Sequence, residues 1–423
     1  MNSRAWYRQL SWTIVFAWAG LVVIGLIAIY SSTHGPAAEY LPEQMTRNFQ
    51  KQVIFGSVGV LGAVVILNLR MRFFQAIAYP AYLVTLVLLL VTAAIGREIN
   101  GAKGWLPLPG GFSIQTAEFA KVATLLAVAA LLSNRRPGSN NLRYGIAATV
   151  LLLIPAAIVI GPQNDTGTGL VFLGLIPIML FWSELPLNVL ALMMAPALAG
   201  YFAIVSLPVA LAVSLVLSAG MWIATKDRLL TGLAVAFTFG VVAVAGVAVS
   251  QLQPHQRARI EAFTNPEAEE FRSGVGYHQV QAKAAIGSGG LTGKGFMHGS
   301  QTQGAYIPEQ STDFVFTIIG EEFGFLGGMT LLVLYGLLLT RLVRLGVQMR
   351  HPFGSMLAAG TAGIFLIHLF VNIGMVTGLL PVIGIPLPFV SYGGAALMAN
   401  TLMLAISLSL HLHRDDVTGS LGY

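Results

Sequence analysis

Cysteine is absent from all 423 residues, which excludes disulfides and thiol catalysis. Charge is also scarce. Asp, Glu, Lys and Arg make up 9% of the chain, against about 25% in soluble domains. There is no HExxH pair, no GxSxG turn and no Ser/Lys nucleophile motif, so zinc-protease and serine-hydrolase chemistry have no anchor. No short-period repeat is visible. What fills the chain instead is apolar: 56% hydrophobic residues and a mean hydropathy of +0.76. This is the composition of a polytopic membrane protein.

A helix needs about 20 apolar residues to cross the hydrocarbon. Spans are expected near 12–30, 53–69, 74–95, 117–133, 144–161, 168–183, 187–204, 206–225, 229–250, 314–340, 355–378 and 391–412. That is an all-α bundle of about twelve helices in a single membrane domain. The first span is too long for a signal-peptide core, so it is expected to stay as an anchor. With the N-terminus cytoplasmic, the short alternate loops carry Arg70 and Arg72, Arg135 and Arg136, Lys226 and Arg228, and Arg341 and Arg344. That is the positive-inside pattern; the turn at Glu184 alone has no basic residue. Both termini are thereby placed in the cytoplasm and the long 251–313 loop outside. The net charge of +6 records these anchors, not a nucleic-acid surface.

The few polar residues gather at the outer ends of spans. "YIPEQSTDFVFTIIGEEFGF" puts Glu309, Asp313, Glu321 and Glu322 in fourteen residues of a chain otherwise fit for lipid. An ionisable group inside a span costs about 2.5–3.5 kcal/mol on insertion scales. A regular helix would set Glu321 and Glu322 ~12 Å below Asp313. Ser311, Thr312 and Asp313 before an apolar run also read as helix caps. "NGAKGWLPLPGGFSIQTAEFAK" holds Lys103, Trp105 and the Glu118–Lys121 pair on one helical face, which reads equally as a salt bridge at a helix mouth. Trp105 suits a membrane interface. "GPQNDTGTG" puts Asp165 on a turn where N-capping is the plain alternative. "AAIGSGGLTGKGF" in the long loop brings either backbone N–H groups to an anion or a hinge. "GLLPVIGIPLPFVSYGG" carries Pro381, Pro386 and Pro388, so it cannot be a regular helix, and such backbone at membrane depth lines a cavity or is buried in protein. His278 and His298 are too far apart to read as a zinc site, and His368 lies in a span.

These clusters in this order, with "RARIEAFTNP" and "GYHQVQAKAAIGSGGLTGKGF", resemble the SEDS family (shape, elongation, division and sporulation), from Asn100 to the last span except about 185–228. "GMVTGLLPVIGIPLPFVSYGG" is more similar to the elongation members than to the division members. Departures are local: Thr116 and Ala117 stand for a usual Pro-Ser, Asn164 for a Pro, Ile383 for a Thr and Ala395 for a Ser. The resemblance implies a peptidoglycan glycosyltransferase that polymerises lipid II, the undecaprenyl-pyrophosphate-linked precursor, in the bacterial cytoplasmic membrane. It implies a class B penicillin-binding protein and other elongation-complex membrane proteins as partners, and polyprenyl tails in a groove between helices. A sugar hydroxyl needs a base within hydrogen-bond reach, and Asp313 is the residue expected to supply it. The pyrophosphate leaving group needs cations: Lys103, Lys121, Arg259, Lys283 and Lys294 are candidates, and a divalent cation (Mg or Mn) could share that work. Glu118, Trp105, Asp165, Glu309 and Glu321 complete the expected substrate-binding set. A lipid II flippase, a non-catalytic scaffold and a division-type role are the alternatives; acids gathered at one membrane face, not along a path, favour the enzyme. The family has ten spans, so 185–228 is expected to be an inserted helical hairpin.

Overall fold

The computed structural model describes residues 10–40, 42–99, 101–107, 112–134, 142–250, 258, 261–263, 275–304, 306–307 and 309–414. The described residues are mainly helical, with one small sheet. The helices are α1 (Trp12–His34), α2 (Asn48–Leu67), α3 (Met71–Ile95), α4 (Thr116–Ser133), α5 (Leu142–Ile160) and α6 (Thr166–Trp182). They continue with α7 (Leu187–Val205), α8 (Leu207–Thr225), α9 (Arg228–Ser250), α10 (Val275–Ser288), α11 (Val315–Glu322), α12 (Gly324–Gln348), α13 (Pro352–Thr377) and α14 (Gly394–Leu412). Among the described residues ten helices are long and apolar enough to cross a membrane, and α6 and α7 are shorter apolar helices. Each of the twelve expected intervals therefore carries a helix. The span near 314 is broken: α11 ends at Glu322, and Gly324 (φ +63°) restarts the chain as α12.

The chain divides into two compact units: 1–136 with 141–176 and 278–423, and 137–140 with 177–277. In the first, α4, α13 and α14 are buried along most of their length, while α2 and α12 expose most of theirs. The apolar sequence is thus sorted by who touches lipid. The buried helices are rich in Ala, Gly, Ser and Thr, as close helix packing in a membrane requires. In the second unit α7, α8 and α9 pack on one another. Leu192, Met221 and Ala234 form one contact layer and Ala199, Ala210 and Val242 another. Within 185–228 lie α7 and α8, with an extended Ser206 between them.

The all-α expectation overlooked three short strands: β1 (Arg97–Ile99), β2 (Ala102–Pro107) and β3 (Ser113–Gln115), antiparallel in that order. The segment before the fourth span carries Gly101, Gly104, Pro107, Pro109, Gly110 and Gly111, which break a helix and favour turns between short strands. β3 runs straight into α4. Within the long loop, α10 is a helix docked through buried Gln279, Ala282 and Ala285.

Candidate active site

Residues 378–393 have no regular secondary structure. Their backbone groups lie among buried residues and need partners. Two helical turns of α13 supply them. His368 faces the Pro386 carbonyl through Nδ1 at 2.9 Å, and Asn372 Nδ2 donates to the Ile385 carbonyl at 2.8 Å. Tyr335 OH on α12 donates to the Pro388 carbonyl. Gln52 on α2 gives Nε2 to the Ser391 carbonyl and takes the Gly393 N–H on Oε1, both at 3.1 Å.

The same segment holds the chain around Asp313. Tyr392 N–H donates to the Ser311 carbonyl at 2.8 Å, Ser391 Oγ donates to the Thr312 carbonyl, and Asn372 Nδ2 donates to the Asp313 carbonyl at 2.9 Å. Three consecutive carbonyls are thus pinned. Asp313 itself is half-buried. The cap position of α11 falls one residue later, on Phe314, which makes no side-chain cap. Beside it, Glu309 accepts from Thr312 Oγ1 at 2.8 Å. Burial pushes the His278 imidazole down, against the charge of Glu309, so a neutral ring faces that carboxylate.

Glu118 and Lys121 are not at an exposed mouth. They are 1% and 2% exposed and 2.9 Å apart. Lys121 Nζ also lies 2.9 Å from His368 Nε2. With Nδ1–H given to Pro386, Nε2 is the acceptor for the ammonium. The pair reaches the broken segment through His368.

Several expected substrate contacts have structural tasks. Asp165 is the N-cap of α6: Oδ1 accepts the Thr168 N–H at 2.9 Å, and Oδ2 accepts Thr168 Oγ1 at 2.8 Å and Gln115 Nε2 at 2.9 Å. Lys103 Nζ donates to the Ala94 carbonyl in the last turn of α3 at 3.2 Å, where a cation complements the helix dipole. Trp105 is half-buried in β2, opposite Arg97 and Gln115. Glu321 is fully buried. Its carboxylate accepts from Lys294 Nζ (2.7 Å), the N–H groups of Gln301 (3.0 Å) and Thr302 (2.8 Å), and the Thr302 hydroxyl (2.8 Å). Glu322 accepts Ser31 Oγ (2.7 Å), Gln303 Nε2 (2.8 Å) and Met297 N–H (3.1 Å). The two acids therefore fold residues 294–303 over α11.

The Gly-rich run is tied to the α11–α12 break by main-chain hydrogen bonds. The N–H groups of Lys294 and Gly295 donate to the Glu321 and Glu322 carbonyls, both at 3.0 Å, and those of Phe325 and Leu326 reach back to Gly290 and Leu291.

Of the expected cations, Arg259 lies outside the described residues. Lys283 is exposed and makes no ion pair. It lies against the left-handed Gly378 that ends α13; a Cβ there would fall 2.1 Å from Nζ. Among the described residues no three His, Asp or Glu side chains gather as a metal-holding group. An apolar groove of about 460 Å³ runs between α1, α2 and α14, lined by Trp18, Leu26, Val53, Val60 and Leu397, with Gln52 in its wall.

The chain matches the profile of the FtsW/RodA/SpoVE family, described as cell cycle protein, over residues 11–222 and again over 206–416. The chain belongs to this family. The peptidoglycan glycosyltransferase RodA of Treponema pallidum is 32% identical, with 93% of this chain and 95% of that protein covered. The peptidoglycan glycosyltransferase MrdB of Escherichia coli K12 is 34% identical over 86% and 85%. A solved chain of a peptidoglycan synthase complex that coordinates polymerization and crosslinking superimposes with a TM-score of 0.70 at 27% identity, covering 96% of this chain and 98% of that one. The family's two matched stretches overlap at 206–222, Ser206 and most of α8.

His368, Asn372, Gln52 and Ser391 were not singled out as site residues from sequence. Their signal was present: His368 and Asn372 are polar residues four apart in an apolar span, hence on one helical face.

Proposed function

We infer that this protein is a peptidoglycan glycosyltransferase that polymerises lipid II at the outer face of the cytoplasmic membrane, with both termini inside. The observation that carries the reading is Asp313, a half-buried carboxylate whose main chain is held by a non-helical, proline-rich segment. Asp313 takes the proton of the acceptor sugar hydroxyl as that oxygen attacks the anomeric carbon of the donor. The C–O bond to the lipid pyrophosphate breaks, and the charge passes to the leaving group. Among the described candidate cations Lys283 is the one left to receive it, because Lys103, Lys121 and Lys294 are engaged elsewhere. A divalent ion bound with the pyrophosphate would supply further charge stabilisation there. The polyprenyl tail lies along the apolar groove between α1, α2 and α14, whose Gln52 holds Ser391 and Gly393.

The relative in a synthase complex supports a crosslinking partner of the class B penicillin-binding type, and the elongation machinery is the favoured setting because "GMVTGLLPVIGIPLPFVSYGG" is more similar to elongation members. The deciding experiment is reconstitution of the purified protein, with and without such a partner, on lipid II. Glycan polymer sustains the reading; transbilayer movement of lipid II without polymer replaces it with a flippase.

A further inference from the structure

Asn372 is the side chain on which the broken segment and the Asp313 strand meet. It is fully buried on α13, and its one amide nitrogen donates to two carbonyls, Ile385 at 2.8 Å and Asp313 at 2.9 Å. Those carbonyls belong to stretches about seventy residues apart in sequence. Both stretches lack regular structure at these points, so no helix ladder fixes either. His368, one turn earlier on the same face, holds Pro386 and is itself held by Lys121. The Glu118–Lys121 pair, the proline-rich segment and Asp313 are therefore joined through two side chains of one helix.

We propose that Asn372 is a positioning residue: it sets the direction of the Asp313 carboxylate toward the acceptor hydroxyl by fixing the peptide that carries it. This rests on the reading of Asp313 as the base. A base has to sit within ~3 Å of the proton it takes, and a misplacement of ~1 Å costs on the order of 100-fold in rate. Asn372 touches neither substrate, so its loss falls on turnover and not on binding.

The test is polymerisation kinetics of Asn372→Leu, which keeps the size and removes both N–H donors, and of Asn372→Asp, which keeps the shape and leaves at most one donor, so that the two carbonyls cannot both be held. D313N is run in parallel, and the folded fraction is measured by gel filtration. The expected result is a 10- to 100-fold fall in kcat for both variants, with KM for lipid II within about threefold of the parent. Should N372L fail to insert, N372D gives the same reading with less change of shape. A folded variant with kcat within threefold of the parent overturns the proposal. So does a loss that tracks the folded fraction, or one that appears in KM alone. An active D313N removes the base reading itself; an inactive D313N beside an active N372D removes only the positioning role.

Discussion

At the scale of single residues, the acids of this chain separate by what they touch. Asp165, Glu321 and Glu322 accept three or more hydrogen bonds from named donors, and Glu118 is closed against Lys121. Asp313 stands half-buried with its main chain held. Asp313→Asn should therefore abolish polymer formation while the protein inserts and purifies normally. Asn keeps the shape and cannot take a proton. A gel-based assay of labelled lipid II checks this, and near-normal polymer sinks the base role. The Glu118–Lys121 pair predicts something different. Removing one partner of a buried ion pair costs about 3–5 kcal/mol, whereas replacing both by apolar residues of similar size is often neutral. Glu118→Leu and Lys121→Met singly should lower thermal stability in detergent, and the double variant should recover most of it. If the singles lose polymerisation at unchanged stability, the pair contacts substrate after all. Asp165→Ala should cost about 0.5–2 kcal/mol as a lost cap, read as a lower melting temperature with activity falling only in step with the folded fraction.

At the scale of elements, the sequence showed spans well and the site only in part. Apolar runs announce helices, because each must bury about twenty residues in hydrocarbon. The proline-rich segment announced itself as broken backbone. Which acids would be structural was hidden, since that depends on donors from remote parts of the chain: Ser31 reaches Glu322 across almost three hundred residues, and Thr302 reaches Glu321 from an adjoining turn. The three-stranded sheet escaped because strands of three to six residues leave too little period to count. The loop at 289–303 gives the prediction that belongs here. Gly293 has φ +83°, and a Cβ would fall 2.1 Å from the Glu322 carbonyl oxygen, which nothing flexible can yield. Gly293→Ala should strip the loop from the α11–α12 break, seen as faster hydrogen exchange at 293–303. Exchange as slow as in the parent would mean that the two acids hold the loop without this close approach.

At the scale of the whole molecule, the open issue is how many times the chain crosses the membrane. Among the described residues ten helices are long and apolar enough alone, and α6 and α7 are shorter. Parity decides where Asp313 lies. Between Glu184 and Gln251 stand 66 residues, Leu185 to Ser250, where one crossing needs about 20–25. The structure fills them with three helices, α7, α8 and α9. The family match covers this region, its two stretches overlapping at 206–222, so the inserted pair rests on length and helix count alone. Two added crossings leave every later loop on its original side, so the 251–313 loop and Asp313 stay outside. Lys226 and Arg228 then fall on the cytoplasmic side, where basic residues collect. A single-cysteine reporter at Lys226, in this cysteine-free chain, should be protected from an impermeant reagent in intact cells and labelled only after permeabilisation. One at Glu267 should label at once. If both label at once, or neither does until permeabilisation, an odd number of crossings does not separate them, and the twelve-crossing arrangement with a paired insertion at 185–228 is wrong.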